Sequence, residues 1–284
     1  MLARGRAAVR SNAMARTLRK IEHGLFPRGV RDAALQVSLF AACYLGYQFV
    51  RGHVDGAAAT AFWNATKVIQ LEHTLNIFVE PSVQAWSRGN GFVIGFADWM
   101  YINSHYLITF GSLAFIYMRR NSSFYFVRNM FVAAMGLALI AYALYPTAPP
   151  RLMPEWGFSD TIAAATGVRV DNEHASALLN LYAAVPSMHV CFALMVGGSM
   201  SALTSRVWAR RVWRLYPLLV SWVVLATGNH YLLDVILGGV TALVAWLIAR
   251  RLGRVRDGWR FAAQGVVPTG TSSKIAAEPS EALT

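Results

Sequence analysis

Long apolar runs separated by short basic segments constrain the fold of this chain more than any other feature. They cover about residues 33–50, 92–117, 126–145, 185–203, 215–227 and 230–251. An apolar helix of roughly 20 residues can cross the hydrocarbon core of a bilayer. Only 14% of the residues are charged, whereas soluble domains carry about a quarter. The pattern predicts an all-α, polytopic membrane protein built as a six-transmembrane-helix bundle.

The segment between the first two runs predicts amphipathic helices on the membrane surface. From residue 61 to residue 86, apolar side chains recur at helical spacing with charged residues between them. Glu72 and His73 are candidate site residues there. Because the polar face of such a helix normally lies in water, we expect these two side chains to be solvated instead.

The distribution of positive charge orients the chain. The net charge is +12, and a basic chain binds either nucleic acid or an anionic membrane surface. Placing the N-terminus in the cytoplasm puts 21 of the 26 Lys and Arg residues on that side. Such a bias is typical of membrane topology rather than of a nucleic-acid groove. We therefore expect an integral protein of the plasma membrane, with both termini in the cytoplasm and no nucleic-acid partner.

The runs and the charges divide the chain into three regions. Residues 1–32 form a basic cytoplasmic arm, and residues 33–252 form the membrane domain. Residues 253–284 are rich in Pro, Ser, Thr and Ala towards their end, which predicts a disordered cytoplasmic tail. Within the membrane domain, more than thirty residues separate the third run from the fourth, a length that predicts a lid or a binding loop. The sequence indicates no oligomeric state.

Four ionisable residues from three chain segments are predicted to lie at the outer membrane interface. Arg151 follows the third run, His189 begins the fourth, and His230 and Asp234 begin the sixth. Residues four apart share one face of a helix, so Asp234 can hold one ring nitrogen of His230 and leave the other as a nucleophile or base. Ionisable groups beside lipid are functional candidates.

This set of residues suits phosphoryl transfer. Arg151 offers a planar fork of donors for phosphate oxygens. Pro186 is predicted to start the fourth helix, and Ser187 lies at its N-terminus, where free amides bind anions. His230 can attack phosphorus, and His189 can protonate the leaving oxygen. Because positioning and charge neutralisation suffice for this reaction, we expect no metal or other cofactor.

Further polar residues are candidates for a supporting role around the site. Asp98, Tyr101 and His105 fall on one face of the second predicted helix. A polar stripe of this kind either joins helices or lines a site. The other supporting candidates are Asn103, Tyr106 and Asn229.

Three stretches resemble the motifs of the type 2 phosphatidic acid phosphatase superfamily. They are Tyr145-Pro146-Thr147-Ala148-Pro149-Pro150-Arg151, Val185-Pro186-Ser187-Met188-His189-Val190 and Gly228-Asn229-His230-Tyr231-Leu232-Leu233-Asp234. Their wording is most similar to the branch that contains inositol phosphorylceramide synthase. The resemblance implies a metal-independent, six-helix lipid phosphatase or phosphotransferase. By motif match, the nucleophile is His230, its orienting partner Asp234, the general acid/base His189, and the phosphate clamp Arg151 with Ser187.

Two positions depart from the phosphatase pattern. That pattern has a lysine seven residues before Arg151, where this chain has Leu144, and an arginine six residues before His230, where it has Val224. The loss of both cations resembles the lipid phosphotransferase branch more than simple phosphatidate hydrolysis. The expected partners are a membrane lipid and an alcohol acceptor such as inositol, with hydrolysis alone as the alternative.

Two other functions are weighed against this one. A transporter or flippase would place charges near the bilayer midplane in paired broken helices, whereas here they are predicted at one end. A zinc site could use His189, His230, Asp234 and His105. The positive charge of Arg151 nearby disfavours a metal cation.

Overall fold

A computed structural model of the protein describes residues 24–54, 58–167 and 182–263, together with Met14 and Glu22. Regular structure in this part of the chain is helical. The α-helices are α1 (Val30–Val54), α2 (Ala58–Thr74), α3 (Glu80–Arg88), α4 (Gly91–Arg119), α5 (Asn121–Leu144), α6 (Thr161–Thr166), α7 (Met188–Leu203), α8 (Val207–Ala226) and α9 (Leu232–Val255). These residues contain no strand, so the all-α prediction is confirmed for them.

The longer helices form a bundle around one apolar core. α7 packs against α8 and α9, α9 packs against α5, and α4 contacts α5, α7 and α8. Buried side chains such as Ile116, Phe131, Val196 and Val223 fill the space between them. α1 packs against α5. α3 contacts α4 and α8, and α2 contacts α9, so both short helices lie against the bundle.

The predicted amphipathic segment forms α2 and α3, but their polar faces are not in water. Trp63 and Trp86 are exposed, whereas Glu72 and Glu80 are fully buried. The expectation of a solvated Glu72 is therefore wrong, although His73 is exposed. The physical reason is that both carboxyl groups accept hydrogen bonds from backbone amides of α9. Helical spacing identifies a polar face without showing which surface it meets.

Local sequence sets the ends of the elements around the site. α5 stops at Leu144, two residues before Pro146, as expected because proline cannot continue a helix. Asp160 caps α6 by accepting a hydrogen bond from the Ala163 amide at 2.9 Å. Gly228 turns the chain between α8 and α9 with a φ of +65°, a conformation that favours glycine.

Two predicted helix starts are wrong. α8 begins at Val207 rather than at residue 215, so that the arginines at 210, 211 and 214 lie in its first turns. Long basic side chains at a helix end reach water while their stems pack, and their charge therefore does not mark a loop. Pro186 precedes the cap of α7 instead of occupying its first turn, since Ser187 is the N-cap.

The two ends of the chain are described only in part. Most of the basic arm, the loop residues 168–181 and residues 264–284 lie outside the described residues. Residues 253–263, which the sequence assigns to the tail, belong to the fold. α9 continues to Val255, Trp259 and Phe261 pack against the core, and Ser123 Oγ donates to the Ala262 carbonyl at 2.9 Å.

Membrane crossing has specific support in two helices. Among the described residues, α5 and α9 are long and apolar enough to cross a membrane, and α7 is a shorter apolar helix. Large apolar side chains also cover the outer surface of the bundle. Leu35, Phe110, Leu218 and Leu243 are each more than half exposed. The full set of six crossings stays a prediction.

Replacing Gly238 by alanine is expected to separate α7 from α9. A Cβ atom there would lie 2.5 Å from the Ser187 carbonyl oxygen, whereas one at Gly239 would meet only Leu194 Cδ1 at 3.8 Å. Overpacking of this kind costs about 1–3 kcal/mol. Thermal unfolding in detergent should therefore show a lower Tm for G238A and an unchanged or higher Tm for G239A. Equal shifts in the two variants would contradict the close helix contact.

Candidate active site

Residues from three segments of the chain meet at one cavity. Its volume is about 930 Å³, and Arg151, His189 and His230 lie in its wall. Most of the remaining wall is apolar, with side chains from α1, α4 and α5 such as Phe40 and Leu113. The cavity therefore joins a small group of ionisable residues to a long apolar surface, an arrangement typical of sites for ligands with a hydrocarbon part.

His230 lies in the turn before α9 rather than on the helix. Its Nδ1 atom is 2.9 Å from the Ala184 carbonyl oxygen and 3.4 Å from Asp234 Oδ2. The expectation that His230 and Asp234 share a helix face is therefore wrong, although they are in contact. Because a carbonyl oxygen only accepts hydrogen bonds, Nδ1 carries the hydrogen and Nε2 is left with a free lone pair.

Asp234 is buried at the third position of α9 and folds back over the turn. Its Oδ2 atom accepts a hydrogen bond from the Tyr231 amide at 2.8 Å and also faces His230. Asp234 is fully buried and does not line the cavity. One carboxylate oxygen thus fixes both the backbone of the turn and the ring that the turn carries.

His189 lies in a group of aromatic rings. Its ring centroid is 4.5 Å from Tyr101, 4.3 Å from His105 and 5.7 Å from His230. His105 stacks in turn on Phe192 at 5.1 Å. These contacts set the distance between the two histidines from α7 and the turn before α9, which lie close enough to act on one substrate group.

Arg151 lies in a 3₁₀ turn, Pro150–Leu152, that is tied to the same region. Its amide donates to the Gly228 carbonyl at 2.7 Å, and its Nη1 atom pairs with Asp160 Oδ2 at 3.1 Å. Its Nε atom is buried without a partner among the described residues. In that part of the chain, no other Lys or Arg lines the cavity. An anion in the cavity would therefore meet this guanidinium.

Comparison with known protein families agrees with this geometry. The family model described as PAP2 superfamily matches residues 66–248, which include all three segments of the site. The chain belongs to the PAP2 superfamily. Searches of curated proteins and of solved structures gave no match. Membership indicates a phosphatase-type enzyme acting on phosphorylated substrates. The match does not identify the inositol phosphorylceramide synthase branch.

The remaining candidates from the sequence divide into two groups. His105, Tyr106 and Asn229 line the cavity. Asn103 does not, and its side chain donates to the Trp99 carbonyl at 2.9 Å. Ser187 is also absent from the cavity wall, because its hydroxyl accepts from the Val190 amide at 3.4 Å as the cap of α7. The role of Ser187 in binding phosphate stays a prediction for this PAP2 superfamily member.

The polar stripe predicted on the second helix is split in the same way. Tyr101 and His105 face the cavity from α4. Asp98 instead accepts a hydrogen bond from Thr161 Oγ1 at 2.7 Å and anchors α6. No group of three or more His, Cys, Asp or Glu side chains in the described residues could hold a metal ion.

Sequence reasoning missed two kinds of partner in this site. The Ala184 carbonyl is the nearest partner of His230, and a backbone acceptor leaves no mark in the sequence. Glu72, which the sequence predicts to be solvated, and Glu80 bind the amides at the start of α9. The only sign of these buried hydrogen bonds in the sequence is the presence of two acidic residues within an otherwise apolar helical pattern.

Replacing Arg151 by alanine is expected to weaken binding of a phosphate analogue. Hydrogen bonds to charged groups contribute about 1.5–3 kcal/mol, so the Kd for orthovanadate should rise by roughly tenfold or more. Isothermal titration calorimetry of the detergent-solubilised protein measures this. The control is R88A, since Arg88 is exposed and lies outside the cavity. Equal affinity in R151A and wild type would exclude Arg151 as an anion ligand.

Proposed function

We propose that this PAP2 superfamily member is an integral membrane lipid phosphotransferase or phosphatase whose site faces the extracytoplasmic side. The observation that carries the proposal is the cavity, where Arg151, His189 and His230 adjoin an apolar wall. The reacting phosphate would lie beside these three residues, and the hydrocarbon part of the lipid would lie along α1, α4 and α5. The positive-inside distribution of charge supports the orientation.

The proposed reaction has two steps. First, Nε2 of His230 attacks phosphorus, a P–N bond forms and the P–O bond to the leaving group breaks, while His189 donates its proton to the leaving oxygen. Next, His189 removes a proton from the acceptor, whose oxygen attacks phosphorus and releases His230. Arg151 binds the non-reacting oxygens in both steps. In the neutral ring, a hydrogen bond from Nδ1 to the Ala184 carbonyl leaves the lone pair on Nε2, as the first step requires.

The acceptor decides between transfer and hydrolysis. Water gives a phosphatase, whereas an alcohol such as inositol or a second lipid gives a phosphotransferase. The absence of cations at Leu144 and Val224 supports transfer. Leu144 is 78% exposed at the end of α5, and Val224 is fully buried in the core. Neither position supplies a charge to the cavity of this chain.

Loss of either histidine is expected to abolish most turnover of lipid phosphates and phosphodiesters. His189→Ala removes the general acid/base, an effect of about 10²–10⁴-fold on kcat. His230→Ala removes the nucleophile, so an acid-labile phosphoryl label should form on wild type and not on this variant. Radiolabelled lipid substrate with rapid quenching measures both the turnover and the label.

The control for this experiment is H73A, because His73 is exposed and lies outside the cavity. Product analysis with and without added inositol then separates the two reactions. A phosphoinositol product that forms only with added inositol supports transfer. Free phosphate from a lipid phosphate, or a phosphomonoester from a phosphodiester, supports hydrolysis. Equal turnover in wild type, H189A and H230A would refute the proposed roles, and lipid movement across vesicles that survives H230A would favour a flippase.

Filling the apolar part of the cavity is expected to select against long lipid chains. Ala114 on α4 lines the cavity, whereas its neighbour Phe115 does not. Each buried CH₂ contributes about 0.8 kcal/mol, so displacing two of them in A114W lowers kcat/KM for a long-chain substrate by roughly tenfold. A short-chain substrate should be unaffected, and F115W should behave as wild type with both. A uniform loss for both chain lengths would contradict binding of the chain in this cavity.

A further inference from the structure

Two buried carboxyl groups from α2 and α3 hold the start of α9. The Leu232 amide donates to Glu80 Oε1, and the Leu233 amide donates to Glu72 Oε1 at 2.7 Å. Amides in the first turn of a helix have no partner within it, and the helix dipole favours negative charge there. These bonds tie two separate helices to the turn that carries His230.

Three carboxyl groups are buried at the start of α9, and their hydrogen bonds leave some of their oxygen atoms without a partner among the described residues. Glu72, Glu80 and Asp234 are each fully buried. Each has one oxygen that accepts from an amide of the α9 start and a second oxygen, Oε2 or Oδ1, without a hydrogen-bond partner among the described residues. Three buried carboxylates at one helix end would repel one another, and buried charges without partners are costly.

A single proton shared by Glu72 and Glu80 would reduce the repulsion and supply the missing hydrogen-bond donor. The carboxyl groups of Glu72 and Glu80 lie beside each other, because they accept from the amides of consecutive residues, Leu232 and Leu233. A proton on Glu72 Oε2 turns this atom into a donor, and Glu80 Oε2 becomes its acceptor, so both unpartnered oxygens are satisfied. The pKa of Glu72 is raised to about 9, chiefly by burial and also by the charges of Glu80 and Asp234, against the lowering effect of the Leu233 amide.

We propose that Glu72 and Glu80 form a carboxylic acid–carboxylate pair that shares one proton and positions the start of α9, and with it His230. The positioning part of this inference rests on the proposed function, whereas the shared proton does not. The titratable groups that face Glu72 are Glu80 of α3, and Asp234 and Tyr231 at the start of α9. Neither glutamate lines the cavity, so each acts through the turn rather than on the substrate.

The pair makes stability depend on pH in a definite direction. An unfolded glutamate loses its proton near pH 4.5, whereas folded Glu72 keeps it until about pH 9. Between these values the folded chain binds more protons than the unfolded chain, so stability decreases as pH rises. Glu72→Gln resembles the protonated acid, because its amide can donate to Glu80 while its oxygen accepts from the Leu233 amide.

Infrared spectroscopy of the purified protein tests the shared proton without reference to activity. At neutral pH, wild type should show the carbonyl stretch of a protonated carboxyl group, and E72Q should lack it. The control is E155Q, which removes an exposed carboxyl near Tyr231 and should keep the band. Identical spectra for wild type and E72Q would overturn the shared proton, whatever the enzymatic activity is.

The pH dependence of unfolding gives a second test of the proton. Between pH 5 and pH 9, the Tm of wild type should fall more steeply than that of E72Q, and E155Q should follow wild type. Above about pH 9, E72Q should be the more stable protein because the wild-type pair then carries two charges. Parallel Tm curves for wild type and E72Q would overturn the inference.

Kinetics test the positioning role. E72Q should keep the wild-type kcat at neutral pH and retain it further into the alkaline range. Glu72→Ala leaves the Leu233 amide without its partner, and kcat should fall by about tenfold or more with KM little changed. Rescue by glutamine but not by alanine supports positioning. A fall in KM and kcat together, or equal kcat for E72A and E72Q, would overturn that role while leaving the proton test unaffected.

Discussion

Hydrogen bonds of the backbone between three distant turns are the interactions on which the rest of the site depends. The Arg151 amide donates to the Gly228 carbonyl at 2.7 Å, and the Ser187 amide donates to the Asp234 carbonyl at 3.0 Å. The His230 ring closes the set on the Ala184 carbonyl. The first two bonds each join two of the three family motifs, and the third joins the last motif to the residue before the second. Main-chain atoms therefore hold together the segment after α5, the start of α7 and the turn between α8 and α9. The reactive side chains are attached to this backbone arrangement.

The sequence predicted the parts of this arrangement that follow from side-chain type. Apolar runs identified the long helices, because burial and membrane crossing both require continuous apolar surface. Pro146 predicted the end of α5, since proline acts on the residues next to it. The meeting of Arg151, His189 and His230 followed from counting charges at the run ends, and the structure places all three in one cavity wall.

The rest depends on partners far away in the chain, which a single sequence does not encode locally. Glu72 has the helical spacing of a solvated residue, but the helix end that it meets lies 161 residues later. The early start of α8 also depends on a distant partner. Its arginines predict a loop when the sequence is taken alone, whereas in the structure they belong to a helix that packs against α7. The hydroxyl of Ser187 accepts from the Val190 amide as the cap of α7, a contact that the sequence did not predict, and its role in binding phosphate stays a prediction. For Glu72 and Ser187, a backbone amide that the sequence does not reveal determines the hydrogen bond of the side chain.

The balance of charge at the cavity bears on the kind of phosphate that it suits. In the described residues Arg151 is the sole Lys or Arg of the wall, and Asp160 already neutralises part of its charge through Nη1. Arg151 Nε remains available as a donor.

A phosphomonoester can carry two negative charges, whereas a phosphodiester carries one. Because an uncompensated charge beside an apolar wall is costly, a single guanidinium matches the diester better. In the proposed reaction, attack by His230 on a diester would leave a phosphohistidine that still bears an alkyl or headgroup ester, and such an intermediate could pass an intact phospho-headgroup to an alcohol. The charge balance thus supports the transferase form of the proposed function over simple hydrolysis of a lipid monophosphate.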